Sequence, residues 1–195
     1  PETGLELRIT DTLEKHMHTF AGKVAAITGA ASGIGRALAI ELAAQGCHLS
    51  LSSRNEVELA ETARLARSAA KGKAVHVTTT RVDVADQAAI VAWAAETQRQ
   101  HGVIHLIFNN AGVGLGALLE DVSQADFEWI MTINFWGVVW GTQAFLPYLK
   151  ASGDGHVVNI SSLFGLLSVP GNGCYNASKF AVRGYTEALR MELEL

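Results

Sequence analysis

Tyr175 and Lys179 stand four residues apart in the stretch C-Y-N-A-S-K-F, Cys174 to Phe180. On a helix that interval puts two side chains on one face, so the phenol and the ammonium can approach one another. A fixed cation favours the ionised phenol and lowers its pKa from a reference value of about 10. A phenol tuned in this way can exchange a proton with a substrate near neutral pH. Thirteen residues before Tyr175 stands Ser162, the last residue of N-I-S-S, across a loop with Gly165, Gly171 and Gly173. A hydroxyl and a phenol meeting there could converge on one carbonyl oxygen. Each feature alone also fits a plainer role: a solvated Lys one turn beyond a Tyr, or a Ser bonding locally at the end of a strand. The rest of the chain has to decide.

A second kind of chemistry is written earlier. T-G-A-A-S-G-I-G, Thr28 to Gly35, follows an apolar run and opens a helical stretch. Gly29 permits a tight turn, Gly33 lets backbone approach a diphosphate, and Gly35 lets the helix pack closely. The helix start then offers free N–H groups and its positive dipole end to phosphate. The glycine spacing of four then two differs from G-x-G-x-x-G, but its place at a first strand–helix junction points to a dinucleotide. After the second apolar run comes L-S-S-R-N, Leu51 to Asn55. An acidic residue there would meet a ribose 2′-hydroxyl, and none is present. Ser53 takes that place and Arg54 follows, a guanidinium matched to a 2′-phosphate. The expectation is NADP over NAD. Asp83 could accept from an adenine amino group or be a turn residue, and Asp86 is an N-cap candidate. N-N-A-G, Asn109 to Gly112, would bring small residues close to the cofactor while its Asn side chains tie down the loop.

These residues must be positioned by a scaffold, and the pattern of apolar runs supplies one. Strands are expected over Lys23–Thr28, His48–Ser52, Ala74–Asp83, Val103–Phe108 and His156–Ser161. Helices are expected over Gly33–Gln45, Glu56–Lys71, Asp86–Gln100, a long Asp126–Lys150 entered near Ser123, and from Tyr175 onward. Strands alternating with helices predict an α/β, Rossmann-type, doubly wound parallel sheet with helices on both faces and ligands beyond the carboxyl ends of the strands. Residues 1–20 read as an N-terminal extension, and 21–195 as one dinucleotide-binding domain carrying the catalytic residues.

The 195 residues are 49% hydrophobic and 17% charged, which suits one domain with a large core. Net charge is −4, which gives no sign of a nucleic-acid or acidic-membrane partner. Two cysteines, Cys47 and Cys174, make no disulfide framework and suggest a reducing, cytoplasmic setting. His16 and His18 lack the companions a metal site needs, so no metal is expected. The apolar stretch Ile133–Leu149 holds Asn134, Thr142, Gln143 and Pro147 and reads as a buried or interface helix, not a membrane span.

Taken in order, TGAASGIG, Asp83, NNAG, Asn134 in TINFWG, Ser162 in NISS and YNASK at 175–179 resemble the short-chain dehydrogenase/reductase family in its compact single-domain branch. The resemblance runs from about Val24 to the last residue. It implies that Tyr175 is the general acid/base, that Lys179 lowers its pKa and holds the nicotinamide ribose, and that Ser162 steadies the substrate oxygen. Asn134 would hold a water linking Lys179 to solvent. The dinucleotide would be cradled by Gly29, Ser32, Gly33, Ile34 and Gly35, then by Ser53 and Arg54, by Asp83 and Val84, and by Asn110, Ala111 and Gly112, with Tyr175 and Lys179 at its nicotinamide end. The family continues past the Tyr/Lys helix with further strands and a substrate loop, so the sheet is expected to lack its C-terminal strands here. Pro1 in place of Met also suggests missing ends.

Leu163, Phe164, Leu166, Leu167 and Val169, with Val113, Leu115 and Leu118 opposite, would either line the cleft or fill core. In the first case the alcohol or carbonyl substrate is apolar. Trp136, Val139, Trp140 and Phe145 suit core packing or, by the family resemblance, a homodimer or homotetramer contact. Two other readings stand beside the oxidoreductase: a non-catalytic dinucleotide-binding or redox-sensing module, and a sugar-nucleotide epimerase that retains its cofactor.

Overall fold

The computed structural model describes residues 19–193. Most of the expected N-terminal extension, with His16 and His18, lies outside the described residues. Five strands, β1 (Val24–Thr28), β2 (His48–Ser53), β3 (Val77–Arg81), β4 (Leu106–Asn109) and β5 (His156–Asn159), form one parallel sheet in the order β3-β2-β1-β4-β5. Six α-helices accompany them: α1 (Gly33–Ala44), α2 (Glu56–Ala69), α3 (Gln87–His101), α4 (Gln124–Met131), α5 (Gly137–Ser152) and α6 (Gly173–Leu193).

Both faces of the sheet are covered, and strand alternation shows how. Ala25, Ile27, Leu49 and Leu51 point into a core with Ala39, Leu42, Leu59 and Ala63 of α1 and α2. Ala26 and Ile107 point the other way, into a core with Ile90 and Trp93 of α3 and Phe145 of α5. Strands buried on both sides read as continuous apolar runs, which is why VAAIT is buried throughout. Helix starts are fixed by Asn55, Asp86 and Ser123, each of which accepts a backbone N–H three residues on. Gly102 and Gly153, with φ of 76° and 71°, close α3 and α5.

The expected elements are present with changed bounds and one break. β3 is the shorter Val77–Arg81, β4 begins at Leu106, and β5 ends at Asn159, two residues before the expected end at Ser161. The long helix expected over Asp126–Lys150 is two helices joined by a π-turn, Thr132–Trp136, with Asn134 inside it. Thr132 back-bonds to the carbonyl of Glu128 at 2.7 Å, and the Asn134 side chain is drawn to the loop after β4. A π-turn inside a helix often marks a working site. Among the described residues, no helix is long and apolar enough to cross a membrane.

Candidate active site

From β1 the chain runs to β2 and β3 on one side, and from β4 to β5 on the other. The reversal leaves a crevice outside the carboxyl ends of β1 and β4. The glycine turn after β1 forms its floor. Gly29 has φ +65° and lies so close to the loop after β4 that a Cβ there would sit 2.8 Å from Ala111 Cα. Thr28 Oγ1 locks the two loops together, accepting from the N–H groups of Asn110 (2.9 Å) and Ala111 (3.0 Å). Asn110 Nδ2 donates back to the Thr28 carbonyl at 2.9 Å. Gly33 has φ +52° and open space where a side chain would be. Gly35 instead lies beneath the turn, where a Cβ would meet Gly29 O at 2.5 Å.

A cleft of about 490 Å³ opens over this floor. Of the residues expected to cradle a dinucleotide, Gly29, Ser32, Gly33 and Ile34, then Ser53 and Arg54, Asp83 and Val84, and Asn110, Ala111 and Gly112 all line it; Gly35 does not. Arg54 Nη1 stands 3.9 Å from Asp83 Oδ2, both side chains well exposed, so the guanidinium is loosely held. Val113, expected to line the cleft or fill core, does line it, and so do Ala31, Val82 and Ile133, which the sequence did not single out. Ala31 lies inside the glycine turn, and Val82 and Ile133 lie next to Asp83 and Asn134, which were singled out.

A second cleft of about 390 Å³ shares Ile34, Asn110, Gly112 and Val113 with the first and holds Tyr175 and Lys179. The four-residue spacing does bring the pair together: Lys179 Nζ lies 5.7 Å from the centroid of the Tyr175 ring, on α6. Phe164 packs edge-on against that ring at 6.0 Å. Lys179 is 4% exposed, and burial pushes its pKa below the ordinary lysine value. Its ammonium has three donors, of which one goes to the Ile160 carbonyl at 2.9 Å. Among the described residues no carboxylate pairs with it. A buried cation with unused donors on the wall of a cleft fits a ligand rich in hydroxyls, such as a ribose. The glycine floor, the open face of Gly33 and this ammonium together accommodate a nicotinamide dinucleotide.

Asn134 is fully buried. Its Oδ1 accepts from Val113 N at 2.8 Å, and its Nδ2 donates to Val113 O (2.9 Å) and Ser178 Oγ (3.1 Å). Ser178 in turn donates to the carbonyl of Tyr175 at 2.8 Å. Asn134 thus ties the loop after β4 to the helix of the phenol. Ser162 follows β5, and its Oγ accepts from Phe164 N at 3.1 Å. It lies on the wall of an adjoining cavity of about 320 Å³, while its neighbour Ser161 lines both that cavity and the cleft of Tyr175. Phe164 and Val113 line the cleft; Leu166 lines the adjoining cavity, and Leu163, Leu166 and Leu167 are 61%, 60% and 44% exposed. Phe145 fills core against Trp93, centroids 4.8 Å apart, whereas Trp136 is 46% exposed and stacks on Trp140.

A family model described as short chain dehydrogenase matches residues 23–195. The chain belongs to the short-chain dehydrogenase family. A putative oxidoreductase, SadH of Mycobacterium tuberculosis, is 50% identical over 177 residues, 91% of this chain and 63% of that relative. Human epidermal retinol dehydrogenase 2 is 36% identical over 188 residues, 96% of this chain and 60% of that one. Among solved structures, a short-chain dehydrogenase/reductase from Burkholderia phymatum in complex with NAD superposes with a TM-score of 0.85 at 42% identity, over 90% of this chain and 62% of the other. A metagenomic short-chain oxidoreductase in complex with NADP superposes with a TM-score of 0.83 at 31% identity, over 89% and 77%. The chain spans less than two thirds of the length of these two curated relatives. Short-chain dehydrogenases of similar fold therefore bind either nucleotide, and the fold alone does not choose between them.

Proposed function

We propose that the protein is an NADP-preferring oxidoreductase that interconverts an alcohol and a carbonyl, with Tyr175 as general acid/base. The observation that carries this reading is the continuity of the crevice: one run of lining residues leads from Arg54 and Asp83, over the glycine turn, to Tyr175 and Lys179. When bound, the nicotinamide supplies or accepts the hydride at the carbonyl carbon. In the reducing direction the Tyr175 hydroxyl gives its proton to the oxygen as negative charge develops there, and becomes phenolate. The ammonium of Lys179 stabilises that phenolate, and its unused donors hold the ribose hydroxyls. Ser162 Oγ accepts from Phe164 N on the wall of the adjoining cavity, so its own proton is free for a substrate oxygen that reaches that wall. Asn134 commits both N–H groups and one Oδ1 lone pair to the protein. Its remaining acceptor capacity is what can hold the relay water. Arg54 selects the 2′-phosphate.

The exposed Leu163, Leu166 and Leu167 favour an apolar substrate, and the exposed Trp136–Trp140 stack favours self-association as a dimer or tetramer. The test is NADPH and NADH consumption by the full-length protein across a panel of aliphatic, aromatic and lipid-like ketones. The expected result is turnover with NADPH on apolar members, abolished in Tyr175→Phe with nucleotide binding retained. Turnover by Tyr175→Phe at the parental rate would remove the proton-transfer role.

A further inference from the structure

The glycine turn is held from outside the cleft as well as from within. The carbonyl of Ala31, in the middle of the turn, accepts from Arg36 Nη2 on α1, and Thr62 Oγ1 on α2 stands 3.3 Å from the same oxygen. Thr62 is fully buried, and its hydroxyl accepts from Arg36 Nε at 2.9 Å while back-bonding to the Glu58 carbonyl at 3.1 Å. The Glu58 carboxylate closes the cluster as an ion pair with Arg36 Nη2. One guanidinium is therefore fixed on two sides by α2 and directed at one turn carbonyl.

We propose that Arg36, held by Thr62 and Glu58, is a positioning residue for nucleotide binding. A trans peptide is planar, with its C=O and N–H pointing opposite ways. Pinning the Ala31 oxygen against α1 and α2 fixes the plane of the 31–32 peptide and turns the Ser32 N–H away from them. It also sets the path into Ser32 and Gly33, which line the cleft. The pinned peptide serves the diphosphate, which NADH and NADPH share. Arg54, at the entry to the same α2, serves only the 2′-phosphate. The two residues therefore make separable contributions: Arg36 sets affinity for both nucleotides, and Arg54 sets the preference between them.

The inference rests on the reading of the cleft as a dinucleotide site, and the experiment separates the two. Dissociation constants for NADH and NADPH are measured by nucleotide fluorescence with the full-length parent, Thr62→Val and Thr62→Ser. Val keeps the shape and charge of the cluster but cannot hold Arg36; Ser restores the hydroxyl. Thr62→Val is expected to weaken both nucleotides by roughly threefold to tenfold with their ratio unchanged, the loss of one net hydrogen bond, and Thr62→Ser to return to within about twofold of the parent. Unchanged binding by Thr62→Val, or loss confined to NADPH, overturns the positioning role. A parent that binds neither nucleotide overturns the site itself. If Thr62→Val does not melt cooperatively, Arg36→Lys takes its place: it keeps the charge but loses the fork that reaches Ala31, Thr62 and Glu58 together. Equal weakening of both nucleotides supports the role, and unchanged affinity overturns it.

Discussion

Both edges of the sheet carry charged and titratable side chains and use them differently. At the amino edge the groups bond to the protein itself. His105 Nδ1 accepts from Val24 N at 3.1 Å, and His48 Nδ1 accepts from His76 N at 2.9 Å. His101 Nε2 meets Thr78 Oγ1 at 3.0 Å, while Lys23, Asp154 and His156 form one ion-pair group. Beside the clefts at the carboxyl edge part of the capacity is unspent. Lys179 uses one donor, Arg54 touches Asp83 only at 3.9 Å, and the Tyr175 hydroxyl has no partner among the described residues. Clusters of polar side chains occur at both ends; of the groups named, those at the carboxyl edge keep unused hydrogen-bonding capacity beside the two clefts. That difference, more than residue type, separates what holds the fold from what awaits a ligand.

The comparison can be broken most sharply at Tyr175. Tyr175→Phe removes a hydroxyl that bonds none of the described residues, so kcat should fall by about two to four orders of magnitude while melting temperature and nucleotide affinity stay at parental values. A large loss of stability instead would place Tyr175 with the amino-edge groups. Next comes Gly29→Ala. The added Cβ would have to share space with Ala111 Cα at 2.8 Å, on a residue with φ +65°. The expected cost is about 1–3 kcal/mol of stability together with loss of nucleotide binding, read by thermal melts with and without NADPH. Arg54→Ala should weaken NADPH by roughly ten- to a hundredfold, the worth of charge-assisted bonds, and leave NADH near the parental value. Equal effects on both nucleotides would remove the 2′-phosphate from its role.

How far the sequence discloses this edge depends on whether a feature is local. The glycine turn, N-N-A-G and Y-x-x-x-K declare themselves because each is a short spacing with one steric or helical meaning, and most of the residues they name line the two clefts, Gly35 and Asn109 excepted. The expected ends of β3 and β5 run too far because an apolar residue, Val82 or Ile160, continues each run past the strand: β3 stops where β2 stops. The π-turn was invisible because it arises from a tertiary pull, the bond of Asn134 to Val113, and TINFWG reads locally as plain helix. The pair Ser161 and Ser162 was resolved in the sequence only by family resemblance. In three dimensions the first faces the cleft and the second caps a turn. The aromatic residues of the π-turn and α5 are likewise undivided in the sequence, and only packing assigns Phe145 to the core and Trp136 to the surface. The Arg36 cluster went unread for the same reason, since its members come from two helices and a turn.

The amino edge makes the smallest prediction and the one that tests its side of the comparison. His101 ends α3, where the helix dipole would favour a charged imidazole. Burial opposes this, helped by repulsion from His76 and His48, and its pKa falls from 6.5 to about 4. The folded protein thus binds this proton more weakly than the unfolded chain. Above about pH 6.5 both states are neutral and the group costs nothing; as pH falls toward about 4 the unfolded chain takes up the proton first, and stability is lost. The slope from this group cannot exceed one proton. His101→Gln keeps a polar side chain at the end of the helix but removes the titration, so its denaturation midpoint should fall less steeply over that interval. NADPH affinity measured at the same pH values should change no more in this variant than in the parent, since the imidazole lies at the opposite end of the strands from the cleft. A variant that lost nucleotide affinity along with its acid sensitivity would mean that the two edges are coupled, and spent bonding capacity would no longer mark a group as purely structural.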